Sequence, residues 1–429
     1  MQLMLCLIIF CLTIAVYIIN KIPMWVTSLG SMLLLVLCGC LQAETALGGF
    51  ASPNAVLMAA MFIVAAGFRN TSFINRLCGF ILKLTKDSFT KAYFGYILIT
   101  VILTNFISSP LVVFSIVSPM AAALCAKSQV SPSRVMFPLC VTAVGCTMTL
   151  PFDGVITQTG QNNAFLETYG MGQYVMQPTD FLIAKWPVLI ILPLWALFIG
   201  PRFMPVAPDV QVDGYGDEKH RLNGMKLEKI ADFAGAVIFL GTLAALLVLP
   251  QWGVASWVIA SASALLMVVC GVLSAKDALA AVPVDLILLF VGALGLGGAL
   301  EETGAGDVIG QWLGMLVGRT ENGYVIGALF FVVPLIVTQF MMNRAGMQIF
   351  TPICILSCKA LGADPIGPML LVCAGCLTAV MTPMATPAIP VAVKAGGYTI
   401  RDLVKGGWLI SVILAIVYIF YVMTAFPAF

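Results

Sequence analysis

Arg344 stands in an apolar stretch, residues 322–358, of a chain that is 61% hydrophobic and 9% charged. A guanidinium at membrane depth costs about 2.5–3.5 kcal/mol on insertion scales, and its planar fork matches a carboxylate or sulfate through two hydrogen bonds. Asp153, in the stretch 135–165, is its obvious ionic partner from the other half of the chain. Arg344 is therefore open to two roles, anion binding and a structural ion pair, which are compatible if the pair opens when an anion arrives. Asp153 is open to three: partner of Arg344, cation ligand, or proton carrier. Other polar residues gather at the same kind of interruption: Thr104, Asn105, Ser108 and Ser109; Thr338, Gln339 and Asn343; and Thr157 and Thr386. Asn105, Ser108 and Ser109 are equally suited to satisfying a turn's own backbone.

The elements that position these groups follow from composition. With 429 residues and a mean hydropathy of +1.05, the chain cannot cover a globular surface with polar side chains, so it is expected to dissolve in lipid. A net charge of +2 provides no bulk attraction to nucleic acid. The single histidine, His220, excludes a multi-histidine metal cage. Cys373-Ala-Gly-Cys376 has metal-ligand spacing but lies on an apolar helix without a second pair, so packing is expected. Met1 to Ile19 has no basic start or small-residue cleavage site and reads as a retained membrane helix.

A crossing helix needs about 20 apolar residues. Clean candidates fall at 3–19, 24–42, 54–68, 186–200, 232–249, 254–273, 281–298 and 407–424. Two broken spans are expected, at 135–165 and 366–393. The first is interrupted at Leu150 to Gly154 and by the polar run Thr157 to Asn163, and the second at Thr382 to Pro390. The stretches 91–126 and 322–358 are too long for one crossing and break in the middle, so each is expected to form a re-entrant hairpin with its tip at mid-depth.

Each half then has one order: three spans, an amphipathic segment, a hairpin, a broken span and a last span. Thr71 and Thr303 lie 232 apart, Pro119 and Pro352 lie 233 apart, and Pro151 and Pro383 lie 232 apart. The expected fold is an all-α polytopic membrane protein of two inverted-topology repeats, each with five spans (one broken) plus a re-entrant helical hairpin. The repeats are placed at 1–203 and 230–429, with a cytoplasmic linker at 204–229. Five crossings per repeat is odd, which inverts one copy against the other, as in secondary transporters.

Basic residues set the orientation. With the first loop cytoplasmic, 17 of the 21 Lys and Arg lie on that side, three (Lys185, Arg319 and Lys359) lie opposite, and Arg344 lies inside. Both termini are then non-cytoplasmic, in the inner or plasma membrane. Asp285, Glu301 and Glu302 are expected at the two ends of one span, without a functional role. Half-helix N-termini favour an anion, whereas C-terminal ends and unwound carbonyls favour a cation, so an anion with a coupling cation is the natural occupant. A membrane-embedded transferase would need a nucleophile with a base, or paired acids, beside a cleft; no such arrangement is evident.

At its hairpins and breaks the chain resembles the divalent-anion/sodium symporter family. In that family each hairpin tip carries Ser-Asn-Thr, a proline follows nine residues after the Asn, and each break reads Gly/Ala-Thr-Pro. Counting back from Pro352 sets Met342-Asn343-Arg344 on the second tip, and counting back from Pro119 sets Ser109-Pro110-Leu111 on the first. Ala385-Thr386-Pro387 matches its break; Asp153-Gly154-Val155 does not. The run Gly396-Gly397-Tyr398-Thr399-Ile400-Arg401-Asp402 resembles the family's last loop. The resemblance implies a dimeric elevator-type transporter that carries di- or tricarboxylates or sulfate with sodium. It implies one sodium site at Thr338, Asn343 and Ala385 and another at Asn105, Ser109 and Asp153. Substrate would lie between Asn343, Arg344, Thr386 and Pro387 on one side and Ser108 and Ser109 on the other. Arg344 replaces a neutral Thr and Pro110 removes an amide, so at least one sodium is expected to be lost, its charge supplied by Arg344. A sodium/proton or oxyanion antiporter with Asp153 as the proton carrier is the alternative.

Overall fold

The computed structural model describes residues 2–19, 21–73, 88–205, 229–306, 308 and 322–429. The linker expected at 204–229, His220 within it, and the amphipathic segments expected after Thr71 and Thr303 lie almost wholly outside the described residues.

The first half runs through α1 (Gln2–Ile19), α2 (Met24–Leu37), α3 (Ala43–Gly48), α4 (Pro53–Arg69), α5 (Phe89–Phe106), α6 (Pro110–Ser128), α7 (Met136–Gly145), α8 (Asp153–Thr168), α9 (Pro178–Lys185) and α10 (Val188–Leu194). The second runs through α11 (Lys229–Val248), α12 (Ser256–Val269), α13 (Ala275–Ala281), α14 (Val284–Glu302), α15 (Gly323–Val337), α16 (Asn343–Leu361), α17 (Ile366–Thr378), α18 (Ala388–Gly396) and α19 (Ile400–Ala425). The starts of α3 to α8 and of α13 to α18 pair off at separations of 230 to 235 residues.

Among the described residues, Ala43–Phe68, Phe89–Phe106, Val284–Glu302 and Ile400–Ala425 are long and apolar enough to cross a bilayer. Pro178–Lys185 and Val188–Phe203 do so as a pair bent by 43°. Large apolar side chains face outward along the helices, among them Leu33, Leu37, Phe233, Leu265, Val269 and Phe420. A surface of that kind is stable against acyl chains and not against water.

Several boundaries differ from expectation for local reasons. The spans expected at 24–42 and 254–273 stop as helices at Leu37 and Val269. Gly39 and Gly271 take positive φ, +69° each, and the amides of Cys40 and Val272 return to Leu35 and Met267 carbonyls. Such a left-handed turn closes a helix and suits a residue without Cβ. The last span starts at Ile400 rather than 407, because Thr399 and Asp402 form a reciprocal N-terminal cap. The polar run Thr157 to Asn163 does not interrupt a helix; it lies inside α8 and is buried apart from half-buried Asn163. Gln158 Nε2 donates to Asn162 Oδ1 at 3.0 Å, and Gln348 Nε2 of α16 donates to Gln161 Oε1 at 3.0 Å. Pro390 is likewise helical, at the third position of α18, where its missing N–H has no intrahelical partner to lose.

Both expected hairpins and both breaks are present as interruptions of helix. The α5–α6 pair turns at Ile107–Ser109, and the α15–α16 pair at Thr338–Met342. α7 gives way to α8 across Cys146–Phe152, and α17 gives way to α18 across Ala379–Pro387. Spans of the two halves interleave: α2 packs along α14, and α4 along α12. Ser28 Oγ donates to the Leu289 carbonyl at 2.8 Å in the first contact. A Cβ on Gly292 would lie 2.4 Å from that hydroxyl, so only glycine lets the backbones come so close.

Candidate functional site

Each hairpin tip is tied to the break of its own half. Asn105, at the end of α5, accepts at Oδ1 from the Thr149 amide (3.1 Å) and the Leu150 amide (2.8 Å), and its Nδ2 donates to the Val101 carbonyl (2.8 Å). Gln339 does the same work in the second half: Oε1 accepts from the Met381 amide at 3.0 Å, and its carbonyl accepts from the Thr382 hydroxyl. Unwound backbone at membrane depth survives only when its donors are met in this way. Ser108 Oγ donates to Asp153 Oδ2 at 3.1 Å, and the Asn343 amide donates to the Ala385 carbonyl at 2.9 Å. Gly154 makes the first of these possible, since a Cβ there would lie 2.6 Å from Ser108 Oγ.

Arg344 links the halves. Its Nη2 donates to the Ser108 carbonyl at 3.2 Å, joining one tip to the other.

A cavity of about 580 Å³ opens between the tips and breaks. Its wall includes Ser108, Ser109, Asn343, Arg344, Thr386 and Pro387, all six residues expected to contact substrate, together with Ala385. Both Asn343 and Thr386 are largely buried at this wall, and Asn343 Oδ1 has no hydrogen-bond partner. A second, smaller space of about 30 Å³ is lined by Ser108 and Arg344 together with Asp153, Thr157, Gln158, Gln161 and Gln348.

The remaining expected residues fall elsewhere. Asp153 lines the small space and not the large one. Asn105 uses both carbonyl lone pairs on backbone amides, which leaves none for a cation in this arrangement. Thr338 is fully buried and donates to the Pro334 carbonyl at 2.5 Å. Cys373 and Cys376 are buried free thiols within α17.

Two functional candidates escaped the sequence. Asp285, in the first turn of α14 as expected, also lines the large cavity. Lys185 is not in an outer loop: it is 1% exposed, and its Nζ donates to the Thr147 carbonyl at 2.5 Å. A signal for Asp285 was its place as the second residue of its helix, the position that Asn54 holds in α4 beside α8. Lys185 offered none, because a lysine at a helix end ordinarily reaches solvent.

Comparison with known proteins fits this architecture. The model of the citrate transporter family CitMHS matches residues 14–346. An uncharacterized transporter of Haemophilus influenzae is 24% identical over 91% of this chain and 85% of its own length. The sodium-dependent dicarboxylate transporter SdcS of Staphylococcus aureus is 24% identical over 95% of this chain and 83% of its own. The Na(+)/dicarboxylate cotransporter 3 of Mus musculus is 29% identical, over 32% of this chain and 23% of its own length. Among solved structures, MtrF of Neisseria gonorrhoeae, described as one of a class of antimetabolite efflux pumps, superposes with a TM-score of 0.65 at 15% identity, covering 92% of this chain and 84% of that one. At that identity the likeness concerns the fold alone. The matched family and the interrupted helices around one cavity lead to one assignment: the chain is a multi-pass membrane transporter of the citrate transporter family, akin to the sodium-dependent dicarboxylate transporters.

Proposed function

We propose that the protein is a secondary transporter that moves a small carboxylate dianion or trianion, of the dicarboxylate or citrate class, through the cavity between its hairpin tips. The observation that carries this is the convergence of Arg344, Asn343, Ser108, Ser109 and Thr386 on one space of about 580 Å³. Spaces of that size hold small-molecule ligands. Arg344 supplies a fork for one carboxylate. Asn343 and the hydroxyls of Ser109 and Thr386 supply polar contacts for the rest.

In this reading the two halves are inverted repeats, 1–203 and 230–429, joined by a cytoplasmic linker, with both termini on the far side of an inner or plasma membrane. The matched spacing of their helices supports it. The hairpin–break pairs move together as an elevator against the packed spans, and the protein works as a homodimer. Cations accompany the anion. The wall of the large cavity already carries a carboxylate, Asp285, to offset the single positive charge of Arg344. A dianion added to that balance needs positive charge from solution, for which sodium is the natural source, as in the dicarboxylate transporters the chain resembles.

Uptake into proteoliposomes tests the reading. Labelled citrate and succinate should accumulate under an inward sodium gradient and compete with one another. Accumulation of neither, under sodium or proton gradients, contradicts it.

A further inference from the structure

Lys185 ends α9 and is sealed inside the protein, 1% exposed. Its ammonium donates to the carbonyl of Thr147, two residues beyond the end of α7 and within the first break. Thr147 also lines the large cavity. Neighbouring carbonyls at this end are met by neutral hydroxyls. Thr104 and Thr147 both donate to Ala143, at 2.6 and 2.7 Å, and Thr149 donates to Cys146 at 3.0 Å. Among the described residues, Lys185 is therefore the one charged donor at an end already well supplied with donors.

The C-terminal end of a half-helix carries partial negative charge, and unwound carbonyls there suit a cation. We propose that the Lys185 ammonium is that cation: a tethered positive charge that takes the place of a dissolved monovalent cation at the first break, so the transport cycle needs one fewer. The second half shows the contrast. The position 232 residues after Lys185 is Val417. Among the described residues, no Lys or Arg is hydrogen-bonded to a carbonyl of the break Ala379–Pro387. Instead Asn343 Oδ1, buried and without a partner, stands beside the tip that Ala385 accepts from. In this proposal that end takes its cation from solution, whereas the first end carries its own.

A structural cap would need only a donor, whereas a tethered cation needs the charge. Lys185→Gln keeps a donor and loses the charge, and Lys185→Met keeps the bulk and loses both. Only its consequence for coupling rests on the transporter reading, so the test begins without substrate. The full-length proteins are purified in sodium chloride and melted in sodium, potassium or choline chloride at equal ionic strength, with and without citrate. Both variants are expected to gain a sodium-over-choline rise in melting temperature that exceeds the wild type's by about 2 °C or more. A variant that unfolds on transfer to choline and survives in sodium reports the same thing. Variants that respond to the salts as the wild type does, or that fail in sodium as in choline, overturn the proposal. Citrate that shifts the wild type in no salt counts against the carboxylate reading and leaves the substrate-free comparison standing.

Discussion

Arg344 Nη2 lies 3.2 Å from the carbonyl oxygen of Ser108, 236 residues away in sequence, and both residues line two interior spaces. One is the cavity of about 580 Å³ and the other the space of about 30 Å³; Met148 and Leu286 also line both. In this arrangement the guanidinium is engaged with a neutral carbonyl. A carboxylate in the large cavity would offer the same guanidinium two charged acceptors, a stronger pair.

Replacing Arg344 is therefore expected to affect binding far more than folding. Arg344→Ala should weaken carboxylate binding by about 30-fold or more, the lower range for losing one partner of a buried charge pair. Arg344→Lys should recover part of it, since the charge remains and the fork does not. Titration calorimetry with citrate and succinate measures both, and affinity equal to the wild type's in the Ala variant would favour a purely structural ion pair.

Asn105 has a different signature. Its side chain satisfies the amides of Thr149 and Leu150 at once. Asn105→Ala orphans two buried donors, at about 1–3 kcal/mol each. A melting temperature several degrees lower is expected, with whatever protein stays folded still binding substrate. A stable variant that loses binding alone would instead make Asn105 a ligand.

Gly154 permits contact between a tip and its break. A Cβ there would meet Ser108 Oγ at 2.6 Å and Met148 Cγ at 3.3 Å. Gly154→Ala should push the first hairpin off α8, at about 1–3 kcal/mol of overpacking, and lower the uptake rate several-fold. Initial-rate uptake beside a melting curve separates the two effects; an unchanged rate would show that this approach is not used in the cycle.

Asp285 bears on coupling. Asp285→Asn removes a negative charge from the cavity wall, so anion binding at low sodium should tighten and its sodium dependence should flatten. A sodium titration of uptake at fixed succinate reads this directly. A sodium dependence as steep as the wild type's, or steeper, would contradict the charge balance drawn above.

Much of this was legible in sequence because proline and polar residues are conspicuous in apolar runs. Pro110, Asn105 and Asn343 mark the tips, and Pro151, Pro383 and Pro387 mark the breaks, each through a local rule of backbone chemistry. What stayed hidden depends on distant partners. Gln161 is content inside a helix because Gln348, 187 residues away, meets it. Lys185 is buried because the carbonyl of Thr147, 38 residues away, waits there. Asp285 faces the cavity because α14 packs along α2, a relationship no local pattern around it encodes.

The most direct test of the central claim, that a small carboxylate occupies the space between the tips, is substrate protection at Thr386. In a background freed of reactive native cysteines, Thr386→Cys is alkylated with a membrane-impermeant thiol reagent while citrate or succinate is titrated in. Alkylation should slow several-fold with a midpoint that matches the concentration dependence of uptake. A rate indifferent to saturating di- and tricarboxylates would contradict the account.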